Sequence, residues 1–218
     1  MSDLRAEVAA AARALAADGL FAGTAGNLSA ADHETGRLAV TATGVVLADC
    51  TAEDVSVVDE SGRVVEGTLA PTSELDLHLV VRKTTGAGAV VHTHAPAATA
   101  VACVLDELPV LHYQQLLLGG TIRVAPYATF GTPELADHVA EALAGRSAAL
   151  LANHGTVTVG ATLAQAVENA LLLEWCCRLY RDAVAIGYPR VLDEDQQRAV
   201  IEAAITRDYG RTKPAEEA

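Results

Sequence analysis

Residues 87–94 constrain the fold of this chain more than any other stretch. They read as an interior strand, with Ala87, Ala89, Val90 and Val91 apolar and Pro96 stopping the run. That strand ends in His92-Thr93-His94. Side chains two apart on a strand share a face. The fold must therefore put two imidazoles side by side at the end of a buried strand, a ready pair of zinc ligands. A third is available from His154, in the turn Ala152-Asn153-His154-Gly155 after the apolar run 148–152. Gly155 is expected to let the backbone bend sharply there. Three neutral ring nitrogens leave a coordination position open, which is the catalytic rather than the structural arrangement. An isolated HxH also arises by chance, and a single histidine is more often a hydrogen-bonded core or surface residue. His33, His78, His112 and His138 lack a comparable partner and are read that way.

The rest of the chain reads as strands and helices mixed in one layer system, of class α/β or α+β. Leu4, Val8, Ala11, Ala12 and Leu15 recur at helical spacing before Gly19. Residues 23–29 read as a small-residue loop, and 37–41, 55–58 and 63–66 as short strands. Ser73 is placed to cap a helix carrying Leu75, Leu79 and Val80 and ending near Arg82-Lys83. Residues 97–105 read as a short helix, and 156–159 as the strand returning from His154. Thr162 and Gln165 fit a capping box opening a helix to about Ala185, and 193–207 is a last helix. No repeat or linker divides the chain, so a single domain over 1–211 with a loosely held tail at 212–218 is expected.

Charge and composition exclude several functions. A net charge of -13 over 218 residues argues against a nucleic-acid or anionic-membrane binder, since both need basic surface. No run approaches the length of a membrane span, and the charged start lacks a signal-peptide core, so a cytoplasmic protein is expected. The four cysteines form no CxxC pair and are read as reduced packing thiols. An acidic protein can still hold a small anion on backbone amides and helix N-termini. Three small-polar loops are suited to hold one, namely Gly26-Asn27, Thr43-Gly44 and Thr72-Ser73. Neither a P-loop nor a dinucleotide-binding fingerprint is present. Glu74, at the first turn of its helix, is by itself a residue suited to the helix dipole; beside a metal it can ligate and, once released, act as acid or base. The two lysines, Lys83 and Lys213, do not read as buried amines able to form a Schiff base, so an electrophile has to come from elsewhere.

Taken in order along the chain, Gly23-Thr24-Ala25-Gly26-Asn27-Leu28-Ser29, Thr41-Ala42-Thr43-Gly44, Pro71-Thr72-Ser73-Glu74, Val90-Val91-His92-Thr93-His94-Ala95 and Asn153-His154-Gly155 resemble the class II aldolase/adducin family, in its L-fuculose-1-phosphate aldolase branch. His112-Tyr113, the run 125–132 and Tyr209-Gly210 fit as well. The resemblance implies an α/β fold, a three-layer αβα domain around a mostly antiparallel sheet. It implies Zn2+ held by His92, His94 and His154, with Glu74 as a displaceable fourth ligand. It implies a phosphate pocket of Asn27, Thr43, Gly44, Thr72 and Ser73 with Gly26 beside it, and a homotetramer with active sites at subunit interfaces. Tyr113 would reach a neighbour's site and move a proton on the aldehyde-side oxygen, while Phe130 and Tyr209 would shape the aldehyde pocket. The activity so implied is cleavage of a phosphorylated ketose, such as L-fuculose 1-phosphate, to dihydroxyacetone phosphate and L-lactaldehyde.

Two departures stand out: Thr72 where a serine is usual, and Asn153 where a second histidine is common. Neither removes a catalytic group; the differing tail beyond Tyr209 bears on aldehyde preference. On the same resemblance, alternatives are a ribulose-phosphate 4-epimerase, a methylthioribulose-phosphate dehydratase or 5-deoxyketose-phosphate aldolase, and a non-catalytic adducin-like module. Glu74 and Tyr113 favour the aldolase over the epimerase, and the retained histidines disfavour the module.

Overall fold

The computed structural model describes residues 2–207 and 209; the tail expected at 212–218 lies outside them. Among the described residues nine strands form one sheet: β1 (Asn27–Ala31), β2 (Leu38–Thr41), β3 (Val55–Val58), β4 (Val64–Glu66), β5 (Ala89–Thr93), β6 (Glu107–Leu108), β7 (Ile122–Ala125), β8 (Ala148–Leu151) and β9 (Gly155–Gly160), in the spatial order β4-β3-β2-β1-β5-β9-β8-β7-β6. The helices are α1 (Ser2–Ala17), α2 (Leu75–Thr85), α3 (Pro96–Ala102), α4 (Pro133–Ala142), α5 (Leu163–Ile186) and α6 (Glu194–Arg207).

β5 lies at the middle of the sheet, and every residue of it is buried. Its alternation explains why. Val91 joins the core that α1, α3 and α5 build with Val8, Leu15, Leu28, Leu150 and Leu173. Val90 joins the opposite core, where α2 and α4 supply Leu77, Val81, Leu135 and Val139. Helices thus cover both faces, which is what a continuous apolar strand requires. The α/β class expected from the motifs holds. The sheet itself is mixed: β7 and β8 run parallel, and the other pairings are antiparallel. The parallel pair arises because α4 intervenes as a crossover between β7 and β8, where a hairpin would have reversed the chain.

Three local expectations change. The loop expected at 23–29 becomes strand from Asn27 onward, and β1 pairs with both β2 and β5. Small polar residues hid a fully buried strand. Ser73 does not cap α2. Glu74 occupies that position without a side-chain cap, the turn being held by Glu74 N–H donating to Thr72 Oγ1 at 3.3 Å. At α5 the Thr162 hydroxyl accepts from Gln165 N–H, but the Gln165 amide accepts from Ala161, so only half of the capping box forms. Between Leu105 and Ala148, where no element was expected, lie β6, β7 and α4. Thr132 caps α4 and Pro133 opens it, as propensity dictates.

All four cysteines are free. Burial pushes the Cys50 thiol up to about 11 and Cys176 up to about 12, so both stay protonated and pack as apolar groups. Among the described residues no helix is long and apolar enough to cross a membrane.

Candidate metal centre and substrate cavity

His92 is the fourth residue of β5, and His94 follows just beyond its end. Two contacts fix the turn between them. The Thr93 and Thr156 hydroxyls lie 2.8 Å apart, and Ala95 N–H donates to Thr93 Oγ1 at 3.4 Å. α3 then starts at once, its first amides at Ala97 and Ala98 donating to the buried Glu174 carboxylate at 3.2 and 2.9 Å. A negative charge at a helix N-terminus is favourable there.

His154 arrives on the turn between β8 and β9. The sharp bend expected of Gly155 is made by Asn153, the only described non-glycine residue with positive φ, at 55°. Asparagine tolerates that conformation better than most side chains. Gly155 is needed for a different reason: a Cβ there would overlap the Thr93 carbonyl oxygen. The departure at Asn153 is therefore compatible with presenting His154 inward.

The three rings meet as a cup. Their centroids lie 4.8–4.9 Å apart, with interplanar angles of 71–82°. One ring nitrogen from each falls within 4.8 Å of the others. His92 Nδ1 lies 2.9 Å from the Thr156 carbonyl oxygen, an acceptor only. Nδ1 must carry a hydrogen, which leaves the Nε2 lone pair facing the cup, 3.1 Å from His94 Nε2. Tetrahedral zinc with ordinary zinc–nitrogen bonds holds its nitrogens about 3.3 Å apart. Burial, then the neighbouring imidazoles, hold both His94 and His154 down to about 4, so both rings are neutral near pH 7, the state a metal requires.

Glu74 closes the cup. Oε2 lies 3.1 Å from His92 Nε2 and accepts from Asn27 Nδ2 at 2.9 Å. Oε1 is buried with no hydrogen-bond partner, 3.6 Å from His154 Nε2. A buried carboxylate oxygen without a donor costs free energy. Burial pushes the Glu74 pKa upward, but His92, Asn27 and His154 outweigh it and hold the carboxyl below the usual range. An orphaned anionic oxygen facing imidazole lone pairs fits a divalent cation.

The cup opens into a cavity of about 370 Å³. Gly26, Asn27, Thr43, Gly44, Thr72 and Ser73 line it together with Glu74, His94, His154 and Phe130. The three small-polar loops therefore converge from well-separated stretches of chain. β1 delivers the first loop beside His92, with Asn27 and His92 in register, and a bridge from Ala42 to Pro71 brings the other two together. At Gly26, where φ is +97°, a Cβ would meet the Phe21 ring and lie 2.8 Å from the His92 carbonyl oxygen. Only glycine permits that approach. Thr24, Ala25, Ala42, Tyr127, Ala128 and Asn153 complete the lining.

Tyr113 and Tyr209 do not line this cavity. They are exposed, with their hydroxyls 3.1 Å apart, in an aromatic cluster with His112 and Trp175. His78, read from the sequence as an ordinary core or surface histidine, is fully buried against Asn27 and Ser29. Its signal was the four-residue spacing from Glu74, one helical turn.

An α/β sheet that gathers three imidazoles and a carboxylate beside anion-sized polar loops defines a metal-site protein of the class II aldolase kind. The sequence model of the class II aldolase and adducin N-terminal domain matches residues 6–181, and the chain belongs to that family. It is 38% identical over 193 residues to a 5-deoxy-D-ribulose 1-phosphate aldolase of Bacillus thuringiensis, covering 88% of this chain and 91% of that protein. It is 39% identical over 202 residues to a 5-methylthioribulose-1-phosphate/5-deoxyribulose-1-phosphate aldolase of Rhodospirillum rubrum, covering 92% and 89%. A solved L-fuculose 1-phosphate aldolase superimposes with a TM-score of 0.88 at 36% identity, over 93% of this chain and 96% of that one.

Proposed function

We propose that this protein cleaves a ketose 1-phosphate by a zinc-dependent retro-aldol reaction, giving dihydroxyacetone phosphate and a short aldehyde. The observation that carries this reading is the orphaned Glu74 Oε1 facing three imidazoles at the mouth of a polar cavity. His92, His94, His154 and Glu74 would hold zinc, which when bound would supply positive charge to stabilise the negative charge that develops on the ketose oxygens, typically worth several kcal/mol.

The chain's own groups do the rest. Gly26, Asn27, Thr43, Gly44, Thr72 and Ser73 receive the phosphate at the start of α2, whose dipole favours an anion. Carbon–carbon cleavage starts with loss of the proton from the hydroxyl beyond the breaking bond. Tyr113, entering from a neighbouring subunit of a homotetramer with Tyr209 beside it, relays that proton: the phenol oxygen accepts it while the phenol's own proton passes through Tyr209 to solvent. The exposure of the cluster formed by Tyr113, Trp175 and Tyr209 supports that interface role. Glu74, an anion in the free site, takes up a proton from water in the open cavity and then delivers it to the terminal carbon of the three-carbon fragment.

Two substrates fit. L-Fuculose 1-phosphate would release L-lactaldehyde, and 5-deoxyribulose 1-phosphate would release acetaldehyde. Both aldehydes end in a methyl group, which suits a cavity wall of Ala25, Ala128 and Phe130. The Bacillus and Rhodospirillum relatives, by what they act on, favour the second. The test is a kinetic comparison of both ketose 1-phosphates, with and without a chelator, with aldehyde identified. Zinc-dependent aldehyde release is expected. Turnover that survives stripping, or an epimerised pentulose with no aldehyde, would overturn the reading.

A further inference from the structure

His78 belongs to no ligand set, yet both its ring nitrogens are engaged. Nε2 lies 2.6 Å from Asn27 Oδ1, and Nδ1 lies 2.7 Å from Ser29 Oγ. An amide oxygen only accepts, so Nε2 must carry the hydrogen. Burial above all holds this imidazole down to about 3, so the ring is neutral and its Nδ1 accepts from the Ser29 hydroxyl. Asn27 is thereby oriented. Its oxygen faces His78, and its NH2 group faces Glu74, with Nδ2 2.9 Å from Oε2. The bonds run in one direction: Ser29 to His78, His78 to Asn27, Asn27 to Glu74.

Two periodicities build this chain. Asn27 and Ser29 are two apart on β1 and share a face. Glu74 and His78 are four apart, at the cap and first turns of α2. Strand and helix therefore present two groups each, and the four interleave. An amide side chain is nearly symmetric in shape and can turn over at little steric cost. Turned over, Asn27 would set its oxygen against the Glu74 carboxylate, acceptor against acceptor.

We propose that His78 is a positioning residue for the retro-aldol site: by donating to Asn27 Oδ1 it locks the Asn27 amide so that one N–H holds Glu74 and the other faces the phosphate loops. This rests on the function proposed above. It extends that reading to a residue that touches neither substrate nor metal. The lock also fixes the Glu74 Oε2 position while leaving Oε1 free toward the histidine cup.

The test uses the zinc-loaded protein, three single variants and one double variant. His78→Phe keeps a ring of similar size and removes the donor. His78→Gln keeps an N–H and an acceptor. Asn27→Ala removes the group through which His78 acts. Removing a hydrogen bond that orients a metal-site group typically costs 10- to 100-fold. The expected result is a fall of that size in kcat/KM for H78F, with partial recovery in H78Q. In the N27A background, H78F should cost less than about threefold more, because its effect passes through Asn27. A merely structural role would give additive losses and no recovery by Gln. A folded H78F protein with normal kcat/KM, or additive losses, overturns the proposal.

A second readout needs no turnover. Nitrogen-15 NMR of the wild-type imidazoles in the metal-stripped protein should show His78 as the Nε2–H tautomer from pH 5 to 8. An Nδ1–H tautomer overturns the proposal even if H78F fails to fold. A wild-type protein inactive on every ketose 1-phosphate would sink the assigned reaction instead, and the NMR result would still decide the lock.

Discussion

Replacing Glu74 by Gln separates the two roles this side chain is given. The substitution preserves shape in a site where Glu74 is buried, so packing is kept. Asn27 Nδ2 must still donate to the oxygen in the Oε2 position, at 2.9 Å. The new NH2 group then falls on the Oε1 side, toward His154 Nε2 at 3.6 Å. Three imidazoles remain to hold zinc, so the metal is retained. What is lost is the group that returns a proton to carbon. A positioned acid or base contributes roughly 100- to 10,000-fold, which is ~3–6 kcal/mol of barrier at about 1.4 kcal/mol per decade. The phosphate loops are untouched, so KM should stay within a few-fold. The assay measures release of dihydroxyacetone phosphate from both candidate ketose 1-phosphates, with zinc content determined on the same preparation. A zinc-replete E74Q protein with kcat within threefold of wild type would refute the role given to Glu74.

Two further outcomes follow from the geometry. Asn153→Gly should keep the positive φ at the turn and leave zinc content unchanged. Asn153→Val should cost ~1–2 kcal/mol, read by urea denaturation, because a β-branched residue resists φ of 55°. For the metal-stripped protein, acid should be destabilising. His94 and His154 titrate at about 4 when folded against an ordinary 6.5. Between those values the unfolded chain binds more protons, so stability falls as pH drops from about 6.5 toward 4. Glu74, held below its usual range, loses its own stabilising contribution in the same direction. A Tm that stays level or rises between pH 6.5 and 4.5 would contradict this.

The clustered imidazoles were legible because strand periodicity and residue chemistry coincide at His92-Thr93-His94. A two-residue spacing on a run that had to be buried left few places for the rings to point. His154 was harder, since its approach depends on Asn153 bending the turn and on Gly155 clearing the Thr93 carbonyl, neither of which is a local signal. β1 was hidden because Asn27, Ser29 and Ala30 carry no hydrophobic alternation; only pairing with β2 and β5 makes them a strand. The same pairing explains why His78 was passed over. Its meaning lies in two partners from β1, distant in sequence, and a lone buried histidine gives no hint of them. Tyr113 and Tyr209 were named through resemblance alone, and one copy of the chain leaves them outside its own cavity.

The account stands on convergence of His92, His94 and His154 on one divalent ion with Glu74 beside it. X-ray absorption at the zinc edge on the purified protein measures that directly. One zinc per chain is expected, with three imidazole nitrogens at about 2.0–2.1 Å and a light oxygen-type donor; His154→Ala should lower the imidazole count to two. Sulfur scattering at about 2.3 Å, or a spectrum unchanged in the His154→Ala protein, would contradict it.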